Sequence, residues 1–152
     1  MICLLLLAAS AAAAWQPQNA VPVSAVVADH IGLHVANPEV SAEFYQRVLG
    51  MQPLPQTISP NMRWLHAGKF ELHLIGGRTK PVETATDTHF AFRVPSVASQ
   101  VQIFDRNQVP WTDAGGAPRK VTTRADGVLQ VYIVDPDGYQ IEVNQAAKQE
   151  GQ

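Results

Sequence analysis

The sequence predicts an α+β fold made from one β-α-β-β-β unit used twice. Three observations carry that expectation. Apolar residues alternate with polar ones in several short runs, each bounded by Gly, Pro, Asn or Asp. Two segments switch to helical spacing, one in each half. The order of these segments in the first half is repeated in the second.

The first regular segment is VVADHIGLHVAN, which begins at Val26 and reads as a strand. Asn37 then suits a helix N-cap and Pro38 the first helical position. In PEVSAEFYQRVLG, Val40, Phe44, Val48 and Leu49 recur at helical spacing, and Gly50 suits the C-terminal cap. Three strand-like pieces follow: MQPLPQTI, NMRWLHAG and KFELHLIGG. A polar segment from about Arg78 to Thr88 joins the halves. Then THFAFRVP reads as a strand, and Ser96 caps VASQVQIFDRNQ, with Val97, Val101 and Phe104 on one face. The strand-like pieces VPWTDAGG, VLQVYIVDP and GYQIEVNQ close the second half. Asp135-Pro136-Asp137-Gly138 supplies turn chemistry between the last two.

With 152 residues, 46% hydrophobic, the chain suits one globular domain and is too short for two ordinary ones. The net charge of −2 gives no basic excess for nucleic acid, and no basic amphipathic stretch points to a membrane surface. Residues 2–14, ICLLLLAASAAAA, have the length of a signal-peptide apolar region and end in alanines that suit a cleavage site. The expectation is an exported protein, periplasmic or secreted. Residues 1–20 are read as signal peptide and start of linker, 21–25 as linker, 26–147 as the domain and 148–152 as a polar tail. The two modules span 26–77 and 88–147. Cys3 is the only cysteine and lies in the apolar run, so the mature domain has no thiol for disulfides, metal or nucleophilic catalysis.

Aligning the halves places a metal-capable side chain at four equivalent points. His30 and His89 open the first strand of each half, and His73 and Glu142 lie midway along the last. Three imidazoles and one carboxylate suit Zn²⁺, Ni²⁺, Fe²⁺, Co²⁺ or Mn²⁺. Strand parity supports a shared polar face, since His30, Gly32 and His34 point opposite to Ile31, Leu33 and Val35. Glu71 and His73 likewise oppose Phe70, Leu72 and Leu74, and Gln140 and Glu142 oppose Tyr139, Ile141 and Val143. One strand histidine is more often a satisfied polar residue than a ligand. Four ligand-type residues at repeat-equivalent positions point to more than that.

These residues also resemble a known family. DHIGLHVANPEVSAEFYQRVLGM is similar to the opening signature of the vicinal oxygen chelate superfamily, a strand histidine followed by F-Y-x-x-V-L-G-M. VYIVDPDGYQIEVNQ is similar to its closing signature, D-P-D-G-x-x-I-E. The resemblance covers about Val26 to Gln145, and within the superfamily the chain looks most like lactoylglutathione lyase-like proteins. It implies a pair of βαβββ modules forming a cupped mixed sheet around a divalent metal. It implies His30, His89 and Glu142 as ligands; the fourth position is His or Glu in different members. His73 fits the repeat alignment best, and Glu71, two residues away on the same face, is the alternative. A homodimer is also implied, with modules from both chains building each cavity. The chain departs from the bacterial glyoxalase pattern at His34, where an arginine that helps bind glutathione is usual. That puts glutathione use in doubt and makes His34 a candidate substrate-facing group.

The resulting expectation is a metal-dependent lyase or isomerase. It would act on a small substrate with vicinal oxygens through a metal-stabilised enediolate. Glu142 is the expected proton shuttle, with Glu71 a possible second base. The alternatives are an extradiol-type Fe(II) dioxygenase, which needs two His and one carboxylate, and a non-enzymatic binding or resistance protein of the same fold. Trp64, Trp111 and Tyr132 are candidates for lining the pocket of such a binder.

Overall fold

The computed structural model describes residues 27–55, 59–83 and 87–145. The expected signal segment, the linker and the polar tail lie outside these residues. The first module holds β1 (His30–Val35), α1 (Pro38–Leu49), β2 (Gln52–Pro53), β3 (Met62–Ala67) and β4 (Phe70–Gly76). The second holds β5 (Phe90–Arg93), α2 (Val97–Arg106), β6 (Trp111–Thr112), β7 (Thr122–Thr123), β8 (Leu129–Val134) and β9 (Gln140–Gln145).

The helix boundaries are those the caps dictate. The Asn37 side chain accepts a hydrogen bond from the Glu39 amide at 3.0 Å, and Pro38 sits where no amide is required. Gly50 ends α1 with φ of +68°, a left-handed conformation that favours glycine. Ser96 caps α2 through the Ser99 amide at 3.2 Å. One expectation about α1 is corrected. Val40 is exposed, and the buried stripe runs through Ser41, Ala42, Phe44, Tyr45 and Val48. Tyr45 takes the core position because its hydroxyl finds a buried partner there.

Each module forms a mixed sheet. The first has strand order β1-β4-β3-β2, and the second has β5-β9-β8-β6 with β7 also paired to β8. The first strand of each module runs parallel to the last, and the other pairings are antiparallel. Three strands differ from the sequence reading. Among the described residues, MQPLPQTI yields only Gln52–Pro53 as strand, and VPWTDAGG only Trp111–Thr112. Prolines at 53, 55 and 110 lack the amide needed to extend a ladder. Thr122–Thr123 forms a short strand that the pattern does not announce, because two residues carry no periodicity.

Parity segregates the two faces of each sheet. Leu33, Val35, Leu65, Leu72 and Leu74 are buried beneath α1, while Val131, Ile133, Ile141 and Val143 are buried in the second module. Burial of this continuous apolar layer is the main stabilising term. Phe70 at the start of β4 meets Phe92 of β5 edge-on, with ring centroids 5.9 Å apart, so apolar packing also crosses between modules.

The Asp-Pro-Asp-Gly turn between β8 and β9 ties the modules together. Asp135 and Asp137 are both buried. Asp135 accepts from the Tyr45 hydroxyl at 2.7 Å and from the amides of Asp137 and Tyr139. Asp137 accepts from the Ser41 hydroxyl at 2.8 Å and the Ala36 amide at 2.6 Å. Gly138 is required twice over. Its φ is +99°, and an added Cβ would sit 3.1 Å from the Val82 carbonyl oxygen. Tyr139 then reaches β1, its hydroxyl donating to the His34 carbonyl at 3.1 Å and accepting from the His34 amide at 3.2 Å. Tyr45→Phe is expected to destabilise the protein by about 1–3 kcal/mol, because it leaves a buried carboxylate oxygen without its donor. Urea unfolding of the two proteins measures this, and equal midpoints and slopes would contradict it.

Candidate metal centre

The polar faces of the two sheets carry the expected site residues at matching register. His30 pairs with Glu71, and His73 lies two residues further along β4. Phe90 pairs with Ile141, so His89, one residue earlier, lies level with Gln140, and Glu142 is two residues further along β9. His73 and Glu142 are therefore equivalent positions of the two modules, and Glu71 corresponds to Gln140. One boundary is shifted: His89 immediately precedes β5 instead of opening it.

In the first module three rings are stacked. His73 lies between Trp64 on β3, at 4.2 Å between centroids, and His30 on β1, at 4.3 Å. Register explains the stack, because Trp64 and His73 are cross-strand partners. The His73 Nε2 sits 2.9 Å from Glu71 Oε2. The His30 Nδ1 lies 2.7 Å from Asp29 Oδ2. A carboxylate only accepts, so Nδ1 carries the proton there, and Nε2 of a neutral His30 ring keeps its lone pair. A cavity of about 260 Å³, lined by Leu54, Pro55, Trp64 and Glu71, opens beside this group.

In the second module His89 Nδ1 donates to the Asp87 carbonyl at 3.1 Å, and its Nε2 lies 3.2 Å from Glu142 Oε2. With Nδ1 engaged by the carbonyl, Nε2 is the nitrogen of His89 that is turned toward Glu142. Glu142 is buried. It also accepts from the Tyr132 hydroxyl on Oε2 at 2.7 Å and from the Asn144 amide on Oε1 at 2.7 Å. Burial pushes the Glu142 carboxyl up. The hydrogen bonds from Asn144 and Tyr132 and the charges of His89 and Arg124 outweigh it, and the net shift is downward. Tyr132 moves the other way, to about 12, through burial and through its bond to the Glu142 carboxylate.

The four expected ligands therefore form two pairs, His30 with His73 and His89 with Glu142. Among the described residues, no group of three or more His, Cys, Asp or Glu side chains is placed to hold a metal ion. The donor types fit a divalent ion, but one chain gathers half of them at a time. Glu71 sits with His73, as its same-face position required. The His34 ring lies near Gly77, and its backbone is engaged by Tyr139. His66 faces the Gly68 carbonyl at 3.4 Å. Trp111 belongs to the core, with its indole donating to Asp105 at 3.0 Å.

Asp29, Asp87 and Asn144 act on the site without having been singled out from the sequence. Asn144 shares the parity of Glu142 and was findable on that ground. Asp29 had no signal beyond adjacency to His30, and Asp87 acts through its backbone carbonyl, which no side-chain type announces. The aromatic character of Tyr132 is plain in the sequence, whereas its contact with Glu142 depends on the β8–β9 register.

The downward shift at Glu142 means that its ionisation stabilises the fold above the ordinary carboxylate value, and that this contribution is lost as pH falls through the folded value. Asp135 is shifted upward, mainly by burial, so its contribution runs in the opposite sense and is lost as pH rises. Comparison with Glu142→Gln isolates the first effect. The stability advantage of the wild type over the variant is expected to grow between about pH 3 and pH 6. Denaturant titrations across that range measure it, and a constant difference would be inconsistent with this account.

The sequence matches the family model of the Glyoxalase/Bleomycin resistance protein/Dioxygenase superfamily over residues 27–143. A search of curated proteins returns no match. Among solved structures, a putative glyoxalase family protein from Bacillus anthracis is similar with a TM-score of 0.65 and 21% identity, covering 80% of this chain and 96% of that one. A lactoylglutathione lyase from Agrobacterium tumefaciens gives 0.61 and 19%, covering 86% and 99%. The oxidase ChaP-H2 gives 0.61 and 16%, covering 84% and 98%. With its two modules, matched ligand-type positions and family match over most of its length, the chain belongs to the Glyoxalase/Bleomycin resistance protein/Dioxygenase superfamily.

Proposed function

We propose that the protein is a divalent-metal-dependent, glyoxalase-like lyase or isomerase, acting on a small substrate with vicinal oxygens. The observation that carries this reading is the facing of His89 Nε2 and Glu142 Oε2 at 3.2 Å, with the other nitrogen of His89 already committed to Asp87. Two ligands of one tetrahedral ion, each about 2.0–2.2 Å from it, stand about 3.3 Å apart. His30, with its Nδ1 tied to Asp29, presents Nε2 in the same manner.

His30, His73, His89 and Glu142 are the proposed ligands of Zn, Ni, Fe, Co or Mn. When bound, the ion supplies Lewis-acid stabilisation of the negative charge that develops on the substrate oxygens. The carboxylates Glu142 and Glu71 supply the capacity to move a proton between adjacent carbons. The cavity beside Glu71, with Trp64, Leu54 and Pro55 in its wall, suits a small apolar substituent. Since one chain forms two separate pairs, the proposed active unit is a homodimer in which the first-module pair of one chain faces the second-module pair of its partner. β1 and β5 support this, because each is an edge strand that carries or adjoins a ligand. The apolar segment at residues 2–14 supports an exported protein.

Metal analysis of untagged protein tests the reading directly, with stoichiometric divalent metal expected and metal-free active protein ruling it out. Exchange of a carbon-bound proton of a small α-hydroxyketone in D₂O, followed by NMR, is expected to fall at least 100-fold (roughly) in Glu142→Gln. Mixing His73→Ala with Glu142→Gln, each inactive alone, tests the shared site. Random reassociation is expected to restore about a quarter of the activity, because half the dimers carry one intact site of two. No recovery despite subunit exchange would mean that each site is built within one chain.

A further inference from the structure

We propose that Tyr132 and Asn144 are positioning residues that lock the Glu142 carboxylate in one orientation, keeping one site of Oε2 presented to His89. This rests on the reading of Glu142 as a ligand and adds a requirement to it. A carboxylate turns easily about its terminal bond, since that torsion is broad and roughly two-fold. Glu142 is held on both oxygens instead. Tyr132 donates to Oε2 at 2.7 Å from β8, and Asn144 donates to Oε1 at 2.7 Å from the same strand as Glu142. Each oxygen has about two acceptor sites. The clamp takes one on each, and the remaining site of Oε2 faces His89 Nε2 at 3.2 Å.

The directions of these bonds are forced. Tyr132 has one proton and gives it to the carboxylate, so its oxygen must accept, and it does so from the Gln130 amide at 3.1 Å. Gln130 and Tyr132 are both buried with Glu142. Turning both amide nitrogens this way leaves Gln130 Oε1 and Asn144 Oδ1 buried without a hydrogen-bond partner among the described residues. Unpaired buried acceptors are unfavourable, and flipping either amide would face an acceptor with an acceptor. The network therefore keeps two orphaned acceptors while the Tyr132 and Asn144 donors are both aimed at one carboxylate. An ordinary core patch has no use for that polarity. A site that must present one anionic oxygen in a fixed direction does.

Tyr132→Phe and Asn144→Leu test the clamp, since each removes a donor while keeping the side-chain shape. Co²⁺ affinity, measured by competition with a chromophoric chelator, is expected to weaken about 10–100-fold in each variant, the range for loss of a group that supports a ligand. The visible spectrum of bound Co²⁺ is expected to shift with it, which a loss of packing alone would not cause. Crystal structures of the metal-free variants are expected to show the Glu142 carboxylate rotated or in two orientations. An unmoved carboxylate in both variants overturns the inference, and so does Co²⁺ affinity within about twofold of wild type. If the wild type binds no Co²⁺, the metal reading fails, and the metal-free structures still decide whether the clamp exists.

Discussion

The buried carboxylates of the β8–β9 turn set the geometry on which the rest of the molecule depends. Asp135 and Asp137 sit at the end of the second module, yet Tyr45, Ser41 and Ala36, three of the groups that donate to them, come from the first. Two buried anions would be strongly unfavourable alone. Surrounded by hydroxyls and amides, they instead permit few relative positions of the modules. Tyr139, immediately after the turn, carries the same tie to the backbone of β1. The D-P-D-G signature is thus structural before it is functional: it fixes how one half of the chain sits against the other.

The polar faces follow from that constraint. In each module a histidine comes to lie beside a carboxylate, along β4 itself in the first and between the start of β5 and β9 in the second. His73 with Glu71 and His89 with Glu142 are the two outcomes. The modules have diverged in how they hold these groups. The first stacks its imidazoles between each other and Trp64, leaving a cavity at the side. The second buries its carboxylate and surrounds it with donors. Duplication accounts for the shared register, and the different environments account for the different chemistry each half can contribute.

Separation of the ligand-type residues into two pairs within one chain is the ground on which a dimeric active unit is proposed. A single chain offers two half-shells, each with a histidine Nε2 close to a carboxylate Oε2. β1 and β5 are the edge strands of the two sheets, and the backbone of β1 at His34 is engaged by Tyr139 of the same chain. In the proposed dimer, a second copy of the chain would supply the pair of ligand-type residues that the first lacks at each site.

Much of the fold was legible in the sequence because it rests on local rules. Asn37, Pro38, Gly50 and Ser96 mark helix ends through single-residue backbone preferences, and two-residue alternation sorted polar from apolar faces in β1, β4 and β9. The repeat made His73 and Glu142 equivalent positions without knowledge of any pairing. What only the tertiary structure decided was distance between elements. Which strand Tyr132 would lie beside, whether Val40 or Tyr45 would face the core, and whether four ligand-type residues would meet within one chain all depend on register and on the angle between modules. Those follow from packing and from hydrogen bonds between residues about a hundred positions apart in sequence, such as Ser41 with Asp137, which leave no periodic trace along the chain.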